Sequence, residues 1–201
     1  MNTLHKRALF VGRFQPFHYG HLYAARFILR EAEEVIIVIG SAEKSHDLNN
    51  PFTAGERTEM IRRALRNSDL DPLRFTLIPV PDSQAHTTWV SQVVAYTPKF
   101  DVVYTNQALT RRLFLESGYE VKEIPLFQRS DLSATEIRKR ILQEEDWKSL
   151  VPEEVYSFIR EMKGDERITD LARKDTTEAN AASEVNSAEL RNKPSKETPT
   201  A

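Results

Sequence analysis

The stretch Ala8-Leu-Phe-Val-Gly12-Arg13-Phe14-Gln15-Pro16-Phe17-His18-Tyr19-Gly20-His21 decides the fold. Its first residues form a short apolar run that closes on Gly12, the pattern of a buried strand feeding a loop. Beyond the loop, Leu22, Ala25, Phe27, Ile28 and Leu29 recur at helical spacing, which predicts a helix over 21–33. The next run, Val35-Ile-Ile-Val-Ile39-Gly40, is almost purely β-branched. Such a run is a central parallel strand with both faces covered. Strand, glycine-bearing loop, helix and strand together make a βαβ unit.

The alternation continues outward from this unit. Thr53-Ala-Gly-Glu56 is a capping box that opens a helix running to about Arg66. A third strand is expected over 75–80, with Pro79 and Pro81 stopping it. A helix over about 89–96, a strand over 101–105 and a helix over 109–116 follow. Gly118 ends the last of these, before a fifth strand over 121–125. Ser133-Ala-Thr135-Glu136 reads as a second capping box for a helix over 134–142, and two more helices are expected over about 152–163 and 165–173. The expected architecture is α/β: a Rossmann-like, doubly wound parallel sheet of about five strands, with helices on both faces and extra helices at the C-terminus. Ligands of such sheets bind at the C-terminal strand ends. The predicted domain covers 1–173. The remainder, 174–201, is rich in Thr, Ser, Ala, Glu, Asn and Lys without aromatic residues, and reads as a disordered polar tail.

Composition narrows the function. The 201 residues are 40% hydrophobic and 29% charged, with a formal net charge of −2. That balance gives no reason to expect a nucleic-acid or membrane partner. No apolar run approaches the roughly 20 residues of a membrane span, and no signal-peptide pattern is present, so a cytoplasmic protein is expected. The absence of cysteine excludes disulfides, thiolate nucleophiles and cysteine-bound metal.

Two segments carry chemistry. Gly12 and Gly20 allow close backbone approach around the first loop, and the helix N-terminus behind it attracts anions through its free N–H groups and dipole. Arg13 adds a guanidinium fork suited to phosphate. His18 and His21 lie three residues apart at the helix start and can converge on one ligand. The pair could hold a metal, but the four-residue spacing and intervening glutamate of a metalloprotease helix are lacking and no third ligand is evident. Two donors aimed at phosphate oxygens explain it better, and no metal ligand is expected from protein side chains. Ser133, Thr135 and Arg138 form a second helix start of the same kind, which taken alone is also readable as an ordinary cap with a solvated arginine.

His18-Tyr-Gly20-His21 resembles the HxGH signature of the nucleotidylyltransferase superfamily, and Ser133-Ala-Thr135-Glu-Ile-Arg138 resembles its second signature, ISSTxxR. More narrowly, Gly12-Arg-Phe-Gln-Pro16, Gly40-Ser41-Ala, Ser45-His46, Pro51-Phe-Thr-Ala-Gly-Glu-Arg57 and Trp89-Val90 together look like archaeal-type nicotinamide-nucleotide adenylyltransferases. The likeness runs over about 8–172. It implies transfer of AMP from ATP to nicotinamide mononucleotide, giving NAD and pyrophosphate, with Mg2+ accompanying ATP and a homo-oligomeric assembly. It implies that Arg13, His18, His21 and Arg138 hold the triphosphate. Gly12, Phe14, Gln15, Pro16 and Phe17 would line the ATP site, and Ser133 and Thr135 would contact phosphate. Trp89 would stack on the nicotinamide ring, with Asp82, His86, Gly40 and Ser41 on the acceptor side. Trp89 is equally readable as a core aromatic, although Val90, Val93 and Val94 could supply that core instead. The chain departs from the family pattern at His86, where asparagine is usual; at Asn106-Gln107, where a Gly-Asn pair is usual; and at Asn49-Asn50, where some relatives place a basic residue. Related architectures accept phosphopantetheine, FMN, glycerol phosphate or nicotinate mononucleotide, and a nucleotide-binding regulator without turnover is the rival from another class.

Overall fold

A computed structural model describes residues 4–125 and 132–173; the tail expected over 174–201 lies outside them. Five strands, β1 (His5–Gly12), β2 (Ala32–Ile39), β3 (Phe75–Pro79), β4 (Val102–Tyr104) and β5 (Glu120–Lys122), form one sheet in the order β3-β2-β1-β4-β5. Every pairing is parallel. The helices between and after them are α1 (Tyr19–Ile28), α2 (Ala54–Arg66), α3 (His86–Tyr96), α4 (Ala108–Glu116), α5 (Ala134–Leu142) and α6 (Glu153–Glu161), followed by α7 over 164–173. This is the expected doubly wound α/β architecture.

Side-chain alternation along the strands builds two cores. Ala8, Phe10, Val35, Ile37, Ile39, Val102 and Tyr104 point to one face, where they meet α1, α2, α5, α6 and Ile168 of α7. Leu9, Ile36, Val38 and Val103 point to the other, against Val90 and Val93 of α3 and Phe114 of α4. The β-branched run of β2 is therefore apolar on both faces because helices cover both. Val94, expected to share the α3 core, instead faces out at 41% exposure. The chain builds β1, β2 and β3 to one side and then returns to place β4 against the free edge of β1. The loops after β1 and β4 diverge there, which opens the crevice of a topological switch point.

Several boundaries differ from the sequence reading. Helix α1 stops at Ile28, because pairing with His5 and its neighbours draws Ala32 and Glu34 into β2. β3 does stop at Pro79, which pairs with Ile39 as the last strand residue. β3 is an edge strand, where the missing N–H costs no ladder bond on the open side. Helix α3 starts at His86 rather than near Trp89, and β5 ends at Lys122. The Thr53–Glu56 capping box forms with both bonds, Thr53 N–H to Glu56 Oε2 at 2.9 Å and Glu56 N–H to Thr53 Oγ1 at 3.2 Å. At α5 only half the box forms. Ser133 Oγ accepts from the Glu136 N–H at 3.1 Å, but the Glu136 carboxylate turns to Arg140 at 3.0 Å.

Glu56 also receives two bonds from Arg167 of α7, each 2.8 Å. One carboxylate thus caps α2 and docks the C-terminal helix. Glu56→Ala should lower the free energy of unfolding by about 2 kcal/mol, the sum of a lost cap bond and charge-assisted bonds. Glu56→Gln, which keeps the cap acceptor, should lose less. Urea titration of both variants measures the difference.

Candidate functional site

The crevice is a cavity of about 830 Å3 at the C-terminal ends of β1, β2 and β4. Of the residues singled out by sequence, Gly12, Arg13, His18, His21, Gly40, Ser41, Asp82, His86 and Trp89 line it. Phe14, Gln15, Pro16 and Phe17 do not. Their side chains turn into the protein and are buried, so this loop supports the cavity from behind rather than forming its wall. Phe14 and Phe17 pack around His21 with ring centroids 4.8 and 5.4 Å away. The Gln15 amide closes two bonds on the Phe52 backbone, at 2.9 and 3.0 Å. These contacts anchor the β1–α1 loop to the chain entering α2.

His18 is the N-cap of α1 in extended conformation, and its ring lies 3.7 Å, centroid to centroid, from that of His21. The His18 backbone N–H donates to His21 Nδ1 at 3.3 Å. A neutral His21 must then carry its proton on Nε2. A Cβ on Gly20 would sit 2.9 Å from Cε1 and Nδ1 of His18. Glycine between the histidines is therefore a packing requirement: it lets the imidazole lie across the first turn of α1. Burial lowers the pKa of His18 to about 4. Burial, and then the neighbouring His18, lower that of His21 as well. Both rings are neutral at physiological pH, so each offers one N–H donor rather than a charge. His18 Nδ1 is buried without a hydrogen-bond partner.

The positive charge comes from other residues. Arg57 is fully buried. It donates to the carbonyls of Thr53 (3.2 Å), Arg13 (2.9 Å), Gly40 (2.8 Å) and Ser41 (3.0 Å). Burial depresses its pKa to about 10, which still leaves it charged. Arg138 is buried and donates to the Gln15 carbonyl at 2.7 Å; burial, and then Arg13, lower its pKa. Arg13 stands exposed between them and reaches Asn50 Oδ1 at 3.4 Å. Asn50 is itself clamped by Asp47, through its side chain at 3.1 Å and its backbone N–H at 2.8 Å. Arg57, Arg138 and Lys44 all interact electrostatically with Arg13. Cations gathered around one cavity mark a site for a polyanion.

Across the cavity, Trp89 meets Phe114 in a T-shaped contact at 5.7 Å and also lines the opening, so it belongs both to the core and to the cavity wall. His86 precedes it by one helical turn. At the β4 end, Asn106 exchanges two bonds with the Ile124 backbone, at 2.8 and 2.9 Å, and both residues lie on the cavity wall. Ser133 serves as the α5 cap, and neither it nor the exposed Thr135 is on the cavity wall. Two important residues are not among those the sequence singles out for the site. Lys44 lies on the wall, and a basic residue just beyond the Gly40-Ser41 strand end is the signal that marks it. Arg57 lies beneath, and no local pattern separates a buried arginine from the solvated ones on α2.

A family model described as cytidylyltransferase-like matches residues 9–140. The chain belongs to this family, and its class is that of the nucleotidyltransferases. Within that class it is 53% identical over 167 residues to the nicotinamide-nucleotide adenylyltransferase of Thermococcus kodakarensis, covering 83% of this chain and 89% of that protein. It is 49% identical over 170 residues to the enzyme of the same name from Methanolobus tindarius, covering 85% and 96%. Among solved structures, a bifunctional NMN adenylyltransferase/ADP ribose pyrophosphatase from Francisella tularensis superposes with a TM-score of 0.72 at 23% identity. That likeness is one of fold. It covers 98% of this chain, which spans only 58% of that protein.

Two expectations follow from the geometry. Arg57→Met leaves the Arg13, Gly40 and Ser41 carbonyls without their donor, and should cost about 3 kcal/mol or more of stability in urea unfolding. The histidines give a pH dependence. An unfolded His18 takes up a proton below pH 6.5, whereas the folded one refuses it down to about pH 4. The unfolded state therefore binds more protons in that window, and stability falls as pH drops from 6.5 to 4. His18 alone accounts for roughly 3 kcal/mol of that fall. His18→Gln should flatten the difference between unfolding free energies measured at pH 7 and pH 4.5.

Proposed function

We propose that this protein catalyses the transfer of AMP from ATP to the 5′-phosphate of nicotinamide mononucleotide, forming NAD and pyrophosphate. The observation that carries the proposal is the pairing of two unlike walls in one cavity. One wall gathers Arg13, two neutral imidazoles and a helix N-terminus, with Arg57 and Arg138 behind it. The other presents an indole and an imidazole on one face of α3. The first suits a triphosphate and the second a pyridine ring attached to a sugar phosphate.

In this reading Arg13, His18 and His21 hold the phosphates over the start of α1. Gly12 allows their close approach. Phe14, Gln15, Pro16 and Phe17 position that loop. Arg138 braces it through Gln15 and adds charge, and Ser133 with Thr135 opens the helix from which Arg138 projects. Trp89 stacks on the pyridine ring and His86 meets its substituent, while Gly40 and Ser41 shape the acceptor side. Magnesium would arrive chelated by the triphosphate oxygens and keep most of its water, as that ion commonly does.

The acceptor phosphate has a second pKa of about 6 and is mostly ionised at neutral pH, so the reaction needs no general base. What it needs is alignment of two anions and donors that strengthen as charge grows on the phosphorus oxygens. The neutral His21, with its proton on Nε2, is such a donor.

The test is a timed assay of purified protein with ATP, magnesium and nicotinamide mononucleotide, quantifying NAD and pyrophosphate. Equimolar products are expected. His21→Ala should lower kcat about 100- to 1000-fold, the usual scale for one transition-state donor, with a much smaller change in the KM for ATP. An unchanged kcat would remove His21 from that role.

A further inference from the structure

The last helix reaches back toward the β1–α1 loop from outside the cavity. Arg167 of α7 donates to both oxygens of Glu56, each at 2.8 Å, and also to the Pro51 carbonyl at 3.0 Å. A planar guanidinium fork can serve both partners at once; lysine, with one donor nitrogen at its tip, cannot reproduce that geometry. Burial opposes the charge on Glu56, but Arg167 and the Thr53 backbone outweigh it and hold the carboxyl below its usual range. The bond to Glu56 ties two helices together. The bond to Pro51 does something further, because Pro51 stands between two residues that touch the loop bearing the histidines. Before it, Asn50 Oδ1 accepts from Arg13 at 3.4 Å. After it, the Phe52 backbone exchanges two bonds with the Gln15 amide, at 2.9 and 3.0 Å. Asn50, Pro51, Phe52 and Gln15 are all buried. The start of α7 also presses on this corner: a Cβ on Gly164 would sit 2.8 Å from Cε1 of Phe52.

We propose that Arg167 is a positioning residue for adenylyl transfer: by holding the Pro51 carbonyl it fixes segment 50–52, and through Asn50 and Gln15 that segment fixes the loop carrying Arg13, His18 and His21. The proposal rests on the adenylyl-transfer reading above. Arg167 stands outside the cavity wall and acts only through the residues between. Segment 50–52 belongs to no helix or strand, so side-chain bonds rather than a ladder decide where it stands. A second route runs through α2. Arg57, next in sequence to Glu56, donates to the Arg13 carbonyl at 2.9 Å, so α7 docked on Glu56 steadies the loop from that side as well. Donors that stabilise a transition state work only when held in place, and a misplacement of about 1 Å that originates far from the chemistry can cost on the order of 100-fold in rate. His21 is such a donor in this reading, and Arg167 is a distant side chain on which its place depends.

The test compares the full-length wild type with Arg167→Met, Arg167→Lys and Arg63→Met, at a temperature where circular dichroism shows the proteins folded. Arg63→Met is the control. It cuts the 3.0 Å ion pair with Glu161 that joins α2 to α6 and leaves segment 50–52 alone. Arg167→Met should lower kcat about 10- to 100-fold, with the KM for nicotinamide mononucleotide within about twofold of the wild type. Arg167→Lys should restore part of the loss. Arg63→Met should lower Tm while kcat stays within about twofold. The double variant Arg167→Met/His21→Ala gives a second readout. If Arg167 acts by placing His21, its removal after His21 is gone should cost less than about half, on a logarithmic scale, of what it costs in the wild type. An unchanged kcat in folded Arg167→Met, an equal loss in Arg63→Met, or full additivity with His21→Ala would each overturn the assignment. If Arg167→Met does not fold, Arg167→Lys decides: a wild-type kcat overturns the role, and a lowered kcat with an unchanged KM for the mononucleotide supports it. A wild-type protein that makes no NAD would overturn the adenylyl-transfer reading, and the role of Arg167 with it. Wild-type turnover with an unaffected Arg167→Met would overturn the role of Arg167 alone.

Discussion

The site depends on a buried cation, Arg57, whose hydrogen bonds among the described residues all go to backbone carbonyls rather than to a carboxylate. Arg57 sits under the cavity and spends its donors on backbone carbonyls from the loop after β1, the loop after β2 and the first turn of α2. Arginine suits this position because its planar fork presents five N–H groups in fixed directions. A buried guanidinium stripped of water needs replacement dipoles, and the carbonyls supply them. The carbonyls gain in return, because strand-end loops are where backbone groups most often lack partners. One side chain thereby holds together loops that the sheet joins only at their roots. Arg13 and Ser41, on different walls, are positioned by the same group.

Charge around the cavity follows from how each group responds to burial. The two histidines are pushed neutral, which removes repulsion from a crowded cationic region and leaves them as directional donors. The guanidinium groups cannot respond in that way, and remain charged even where burial lowers their pKa. Lys44 lies near the surface and is charged, and Asp82 beside it raises its pKa further. The result is a region whose positive charge is fixed and whose nearest donors are uncharged. That arrangement attracts phosphate while sparing the chemistry a dependence on histidine protonation near neutral pH.

The parts of this structure legible in the sequence are those decided by neighbours along the chain. The Thr53–Glu56 box formed as read, since both of its bonds span three residues. The β2 run was readable because burial on two faces leaves no polar position. The parts that were not legible depend on distant partners. Helix α1 ends at Ile28 because β2 pairs with β1 from Ala32 onward, which no local pattern reveals. The Ser133 box is only half made, because Arg140 competes for Glu136. Phe14 to Phe17 sit inside a conspicuous motif, yet they form core.

By itself, the sequence determined the order of strands and helices, the parallel sheet they must form, and the histidine pair at the start of α1. Each of these follows from periodicity or from spacing within one turn or loop. Only the tertiary structure decided that β4 returns beside β1 to open the crevice, that Arg57 lies beneath it held by backbone carbonyls, and that Asp82 is bound to Lys44 rather than free. The physical reason is the same in each case. Burial and pairing across 16 to 44 residues of chain, as in the contacts of Arg57 with Ser41 and Arg13, are set by packing, and packing leaves no period in the sequence from which to read them.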